Sequence, residues 1–276
     1  MLALALLAGW WFFGRALAPV AAPTDAGAVL AAYRPPDLHA LAVSPTDPRT
    51  VVFGSHRGVL VSHDAGATWS TVSGANGDAM GLALPVGSST AYAAGHDVFF
   101  RSDDGGKSWT SLRPALPGTD IHGFAASPST PGAVYAYVVG FGLFTSADGK
   151  TWSRIGDASG GTMSLAAAKG GASDVLIATT MEGVERSRDA GKTWERVPEL
   201  GGAYVSAVGD HAYAVRGSSV FLSGDGGMTW TTRSFPRGGG ALIAGSVNDP
   251  QLVYIVTDRF EVWRSRDGGS NWERAG

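Results

Sequence analysis

The residues best suited to chemistry are four histidines and a methionine that recur at a regular interval. His39, Met80 and His122 are separated by steps of 41 and 42 residues, and His56 and His96 fall between them. The chain has no cysteine, which excludes disulfides, iron–sulfur clusters and thiolate metal sites. Imidazole nitrogen together with thioether sulfur favours copper, particularly Cu(I), whereas imidazole alone also suits zinc or nickel. The five residues therefore predict a copper-like site, with zinc as the second choice, provided that the fold brings them together.

His39, Met80 and His122 form a column of equivalent repeat positions, and an aspartate stands two residues before each of them. Residues two apart lie on the same side of an extended strand. The three aspartates are Asp37, Asp78 and Asp120. Their carboxylates could accept hydrogen bonds that orient the imidazoles, or could become ligands themselves. Met163 and Tyr204 continue the column, and Met163 is a weaker ligand candidate. The residues leave open a polar rim of hydrogen-bonded histidines, and also a site for a small molecule or a protein.

The elements that must position these side chains are repeats. An eight-residue pattern, serine-x-aspartate-x-glycine-x-threonine-tryptophan, recurs with variations and ends at Trp69, Trp109, Trp152, Trp194, Trp230 and Trp272. A period near forty residues is typical of a repeat architecture. Serine, aspartate and glycine close a tight turn, and the tryptophan gives each repeat a large apolar anchor. Because the aspartates recur so regularly, we interpret them as structural residues of the turns: Asp64, Asp104, Asp148, Asp189, Asp225 and Asp267.

Each period of about forty residues contains four short apolar runs separated by turn residues, which is the pattern of a propeller blade. We therefore predict an all-β fold, a six-bladed β-propeller of four-stranded antiparallel blades over residues 37–276, with the repeated turn between strands three and four. In a four-stranded meander, the start of strand one and the turn between strands two and three lie on the same face. The four histidines and Met80 should thus meet at one mouth of the central channel, across three consecutive blades.

The repeated pattern resembles the Asp-box (BNR) repeat of β-propellers, a group that includes sialidases, sortilin-type ectodomains and photosystem II assembly factors. The segments around the histidines are also similar to exported bacterial Asp-box proteins described as sialidase-like or as glycosyl hydrolases. They are the run from Asp37 to Pro45, Ser55 to Gly58, Asp78 to Leu82, Gly95 to Asp97 and Asp120 to Phe124. The resemblance implies the propeller fold but not the activity, because the same fold serves enzymes and binding proteins.

A sialidase needs an arginine clamp for a carboxylate, a tyrosine–glutamate pair and an acidic proton donor. Arg57, Arg216 and Arg259 occupy turns between strands two and three, as does Glu182, but no motif ties them to such roles. We find no evident nucleophile–base pair and predict no catalytic residue. A non-enzymatic, metal-binding propeller is favoured. The alternatives are a protein-binding scaffold or assembly factor for a membrane complex, and a sialidase-like glycoside hydrolase.

The N-terminus and the charge bear on location and partners. Residues 2–13 are wholly apolar, so we expect residues 1–22 to be a signal peptide or an N-terminal membrane anchor, followed by a linker over 23–36. The protein is then exported, to the periplasm or the cell exterior. The net charge of −3 argues against a nucleic-acid partner. The expected partner is a metal ion or an exported or membrane protein.

Overall fold

The computed structural model describes residues 28–157 and 160–275, and they form six four-stranded antiparallel sheets. The prediction of an all-β, six-bladed propeller is confirmed. The segment expected to be a signal peptide or anchor, residues 1–22, lies outside the described residues. In the part of the chain that the structure describes, no helix has the length and apolar character needed to cross a membrane.

Each blade is built from four consecutive strands. Blade one contains β1 (Ala40–Val43), β2 (Val51–Ser55), β3 (Gly58–Ser62) and β4 (Ser70–Thr71), and blade two contains β5 (Gly81–Ala83), β6 (Ala91–Gly95), β7 (Val98–Ser102) and β8 (Thr110–Ser111). Blade three contains β9 (Ile121–Ala126), β10 (Val134–Val138), β11 (Gly142–Ser146) and β12 (Ser153–Gly156), and blade four contains β13 (Thr162–Ala168), β14 (Val175–Thr180), β15 (Gly183–Ser187) and β16 (Glu195–Arg196). Blade five contains β17 (Tyr204–Val208), β18 (His211–Arg216), β19 (Ser219–Ser223) and β20 (Thr231–Ser234), and blade six contains β21 (Gly240–Gly245), β22 (Val253–Thr257), β23 (Val262–Ser265) and β24 (Glu273–Arg274). Two short 3₁₀ helices are described, Leu30–Tyr33 before β1 and Pro198–Leu200 after β16.

Burial is greatest in the second strands and least in the fourth strands. The second strands β2, β6, β10 and β22 are buried at every position, because each is covered by the neighbouring blades on both faces. The fourth strands β4, β8, β16, β20 and β24 are exposed throughout. The first strands contact one another in sequence around the channel. Residues at the start of a first strand are therefore held at the channel mouth by a packed core.

The six repeated turns share the hydrogen bonds between serine and aspartate, and four of them add a bond from the tryptophan indole. In blade one, the Ser62 hydroxyl donates to Asp64 Oδ1 at 2.8 Å, and the Gly66 amide donates to Ser62 Oγ at 2.8 Å. The Thr68 amide donates to Asp64 Oδ1 at 2.8 Å, and the Trp69 indole donates to the Gly66 carbonyl at 3.0 Å. The serine-to-aspartate bond is present in all six turns. Each carboxylate therefore accepts hydrogen bonds within its own turn, on the face opposite the channel mouth that carries the histidines.

The ring closes by packing of blade six against blade one, and within residues 28–157 and 160–275 every sheet is made of four consecutive strands. The first strand of blade six, β21, contacts β1, and Asn248 Nδ2 donates to the Pro45 carbonyl at 2.8 Å. Ala28, within the segment expected to be a linker, pairs with Trp69 through two backbone hydrogen bonds of 2.7 and 3.2 Å. Leu30 is buried in the core that blades one and six share. Residues 28–33 thus seal the junction between the first and last blades.

Candidate metal centre

Four histidines lie at one mouth of the channel. The meander topology brings together there the start of each first strand and the turn between the second and third strands. His39 immediately precedes β1, His56 lies in the turn between β2 and β3, His96 lies in the turn between β6 and β7, and His122 is in β9. Three aspartates join them, each lying shortly before the first strand of blade one, two or three. We call the seven residues the His/Asp arc: Asp37, His39, His56, Asp78, His96, Asp120 and His122.

Two glycines let the backbone approach closely enough to form the arc. A Cβ on Gly54 would lie 2.4 Å from the Ala79 carbonyl oxygen, and one on Gly95 would lie 1.8 Å from the Asp78 carbonyl oxygen. Both contacts are with backbone, which cannot move aside as a flexible side chain can. Glycine at these positions therefore brings the His56 and His96 turns close to the start of strand one in blade two.

The turn that carries His96 is held by the blade that follows it. Asp97 has a positive φ of 57°, which is unusual for a residue with a side chain. Its amide donates to the Thr119 carbonyl at 3.0 Å, and the Thr119 hydroxyl donates to Asp97 Oδ1 at 2.5 Å. Because Thr119 directly precedes Asp120, these bonds fix His96 relative to the third blade.

The first group of the arc joins Asp37, His39 and His56 within blade one. His39 Nε2 lies 2.8 Å from His56 Nδ1 and 3.4 Å from Asp37 Oδ1. His56 Nδ1 is also in short contact with Asp37 Oδ2. The His56 amide donates to Asp37 Oδ1 at 2.9 Å, so the backbone of the turn holds this carboxylate in place.

The second group joins His56, Asp78 and His96 across blades one and two. Asp78 Oδ2 lies 3.2 Å from His56 Nε2 and 2.5 Å from His96 Nδ1. The other oxygen, Asp78 Oδ1, lies 3.1 Å from His39 Nε2. The Asp78 side chain, only 9% exposed, is the most buried of the arc and lies at its centre.

The third group joins His96, Asp120 and His122 across blades two and three. Its three donor atoms form a nearly equilateral triangle. His96 Nε2 lies 3.1 Å from Asp120 Oδ1, His122 Nε2 lies 3.0 Å from the same oxygen, and the two nitrogens are 3.0 Å apart.

Two buried carboxylate oxygens of the arc, Asp78 Oδ1 and Asp120 Oδ1, accept no hydrogen bond from any residue that the structure describes. Imidazole nitrogens are nonetheless 3.0–3.1 Å away from them, so these contacts have the distance of a hydrogen bond without its direction. A buried carboxylate oxygen without a donor is costly. Two such oxygens, in groups whose imidazole nitrogens and carboxylate oxygens lie within 4.8 Å of one another, form an arrangement that a cation can satisfy.

The electrostatics of the arc also favour a cation. It contains three carboxylates, and burial lowers the pKa of His39 despite the opposing effect of Asp37 and Asp78. A lowered pKa keeps this imidazole neutral at neutral pH, which is the state that binds metals. The His56 and His96 side chains are 50% and 43% exposed, so solvent reaches the arc from the two turns.

Met80 lies in the channel itself. It is buried and lines a cavity of about 340 Å³ together with His39, Met163 and Tyr204. It also lines a second cavity of about 90 Å³ together with His122. Burial raises the pKa of Tyr204 to about 12, so its hydroxyl stays protonated. Among the sequence-predicted ligands, Met80 thus shares one cavity with His39 and another with His122.

The other candidates from the sequence lie elsewhere. His63 in a repeated turn is 3.1 Å from Thr50 Oγ1, and His211 pairs with Asp210 at 2.6 Å on the same opposite face. Of the residues weighed for a carboxylate clamp, Arg216 lines the larger cavity, whereas Glu182 forms an ion pair with Arg196.

The role of Gly95, Asp97 and Thr119 was missed by sequence reasoning. The only signal for it was the Gly-His-Asp run at the second turn of blade two.

No protein-family model matches the chain, and no curated protein matches it. Solved structures do share its fold. One is the GH74 enzyme of Niastella koreensis, with 22% identity and a TM-score of 0.52 over 84% of this chain. Another is YCF48 bound to a D1 peptide, with 19% identity and a TM-score of 0.53 over 86% of this chain. A third is an ancestral GH74 enzyme, with 16% identity and a TM-score of 0.55 over 93% of this chain.

What these proteins share with the chain is the fold. The aligned region spans 37% and 40% of the two GH74 structures and 81% of YCF48. At these identities the likeness establishes a β-propeller and no activity.

Proposed function

We propose that this protein is a non-enzymatic β-propeller that binds a transition-metal ion, copper or zinc, through the His/Asp arc. The observation that carries the proposal is the convergence of imidazole nitrogens and carboxylate oxygens from three blades around buried oxygens that lack a hydrogen-bond donor.

The spacing of the donor atoms supports the proposal. Zinc–nitrogen bonds of about 2.0–2.1 Å in a tetrahedral site place neighbouring ligand atoms about 3.3–3.4 Å apart. In the third group the separations between donor atoms are 3.0–3.1 Å. Binding an ion there requires shifts of a few tenths of an ångström, which side chains on turns can make. Three protein ligands would leave a fourth position for water.

The choice of metal depends on which donors take part. Imidazole and carboxylate suit Cu(II) and Zn(II), whereas Cu(I) prefers a softer set that includes thioether. Met80 is a thioether that lines the same cavities as His39 and His122. We therefore expect Met80→Leu, which preserves side-chain volume, to weaken retention of Cu(I) and to leave Cu(II) and Zn(II) unaffected.

The test is elemental analysis of the purified chain after loading with Cu(II), Cu(I) or Zn(II) and desalting. Retained metal in at least equimolar amount, lost in the double variant His39→Ala, His122→Ala, is the expected result. The matched control is the double variant His63→Ala, His211→Ala, which removes two histidines outside the arc and should retain the metal. No retained metal under any loading condition would refute the proposal.

A second candidate function is a protein-binding scaffold, and a specific surface favours it. Four apolar side chains are exposed in blades three and four on the face that carries the arc: Val139 (37%), Phe141 (46%), Met163 (43%) and Met181 (82%). Exposed apolar groups on one face are typical of a binding site. The YCF48 structure, which contains a D1 peptide, is matched over most of its length.

If the scaffold function is correct, Phe141→Ser with Met181→Ser should abolish binding of an exported or membrane partner. His39→Ala with His122→Ala should leave that binding intact. A partner that still binds the Phe141→Ser, Met181→Ser variant would contradict the scaffold function.

A further inference from the structure

We propose that the His/Asp arc holds more than one metal ion, and that His56 and His96 bridge neighbouring ions as imidazolates, each ring releasing its remaining N–H proton to solvent when the second ion binds. The inference rests on the proposed metal-binding function and makes it more specific. It is drawn from the way in which the three groups of the arc share these two residues.

His56 presents its two ring nitrogens to two different groups. Nδ1 faces the first group, in short contact with Asp37 Oδ2 and 2.8 Å from His39 Nε2. Nε2 faces the second group, 3.2 Å from Asp78 Oδ2. The two nitrogens of His56 thus lie beside donor atoms of two different groups.

His96 repeats the arrangement one blade further on. Its Nδ1 lies 2.5 Å from Asp78 Oδ2 in the second group. Its Nε2 belongs to the triangle of the third group, at 3.1 Å from Asp120 Oδ1 and 3.0 Å from His122 Nε2. Along the arc, the His56 ring therefore lies between the first and second groups, and the His96 ring lies between the second and third groups.

A single ion would use these rings differently. An imidazole that binds one metal through one nitrogen donates the N–H of its other nitrogen to one acceptor, usually a carboxylate or carbonyl, and this bond fixes the orientation of the ring. At both ends of the arc, however, the second nitrogen meets a carboxylate and also a further imidazole nitrogen, from His39 or from His122. One N–H group cannot be directed at both the carboxylate oxygen and the further imidazole nitrogen. A cation can bind the carboxylate oxygen and both imidazole nitrogens.

Each group also has its own carboxylate: Asp37 in the first, Asp78 in the second and Asp120 in the third. Adjacent cations repel, and a carboxylate at each position reduces that repulsion. The separation of the two ring nitrogens keeps the bridged ions on opposite sides of an imidazole. The arc thus has room for up to three ions, one for each group.

The experiment is a titration of the full chain with Cu(II), followed by elemental analysis and by electron paramagnetic resonance with quantified spin intensity. We expect more than one copper per chain and a spin intensity clearly below the total copper, because an imidazolate bridge couples the unpaired electrons of two Cu(II) ions. Substoichiometric copper should give more signal per ion than the saturated protein.

Single variants test the bridges. His96→Ala leaves the first group intact, and His56→Ala leaves the third group intact. Each variant should bind fewer ions and remove one of the two bridges, and the variant with both changes should recover the full signal from the copper that remains. Both side chains lie half-exposed on turns, and thermal unfolding with His63→Ala as the matched control checks the fold.

The outcomes separate the two proposals. One copper per chain, or several with full spin intensity in the unmodified protein, would overturn the bridged arrangement and leave metal binding standing. No bound copper, together with no bound zinc, would overturn both.

Discussion

The substitution Gly95→Ala links the propeller backbone to the metal site. The added Cβ would lie 1.8 Å from the Asp78 carbonyl oxygen, 2.8 Å from its carbonyl carbon and 2.9 Å from the Met80 amide nitrogen. All three atoms are backbone, so relief requires the strand start of blade two to move. Overpacking of this kind typically costs about 1–3 kcal/mol. For a domain of this size each kcal/mol lowers the melting temperature by about 2–4 °C, so we expect a fall of about 2–12 °C.

The same movement should weaken the metal site more than it weakens the fold. Asp78 Oδ2 lies 2.5 Å from His96 Nδ1 and 3.2 Å from His56 Nε2, so displacement of its backbone separates the donors of the central group. The assay is thermal unfolding followed by circular dichroism, with metal retention measured on the folded protein. Gly171→Ala is the matched control, because nothing lies within 4 Å of its Cβ position. A Gly95→Ala protein that unfolds at the original temperature and retains its metal would refute the reasoning.

Three further predictions concern stability and activity. Asp64→Ala should lower the free energy of unfolding by about 1–3 kcal/mol in urea titrations, because the carboxylate accepts hydrogen bonds from Ser62 and Thr68; unchanged stability would contradict the structural role. The pKa values of Asp225 and Asp267 are lowered from 3.8 to about 2, mainly by hydrogen bonds in their turns that outweigh desolvation. The folded state therefore binds fewer protons than the unfolded state in this range, so stability should fall as the pH drops from about 4 to about 2; a flat melting temperature would contradict this. A fluorogenic sialoside should not be hydrolysed, and turnover proportional to protein concentration would revive the hydrolase alternative.

The fold could be predicted from the sequence because its signals are local and repeated. The serine–aspartate–glycine turns ending in tryptophan mark the same point in every blade, and apolar runs between them give four strands. Meander topology then assigns His39, His56, His96 and His122 to one face without any distance information.

The contacts within the arc could not be predicted in this way. They depend on how far one blade is offset from the next, and this offset is set by packing. Asp78 of blade two reaches His39 of blade one because Gly54 lets the Ala79 backbone approach. Ring closure has the same origin: Leu30 fills a core shared by blades one and six, a contact between distant parts of the chain.

The most direct test of the metal site is an anomalous diffraction map of crystals of the copper-loaded protein, recorded above and below the copper absorption edge. We expect peaks at the channel mouth within about 2.0–2.2 Å of ligand atoms of the His/Asp arc. A map with no peak there, or with copper only at His63 or His211, would contradict the account.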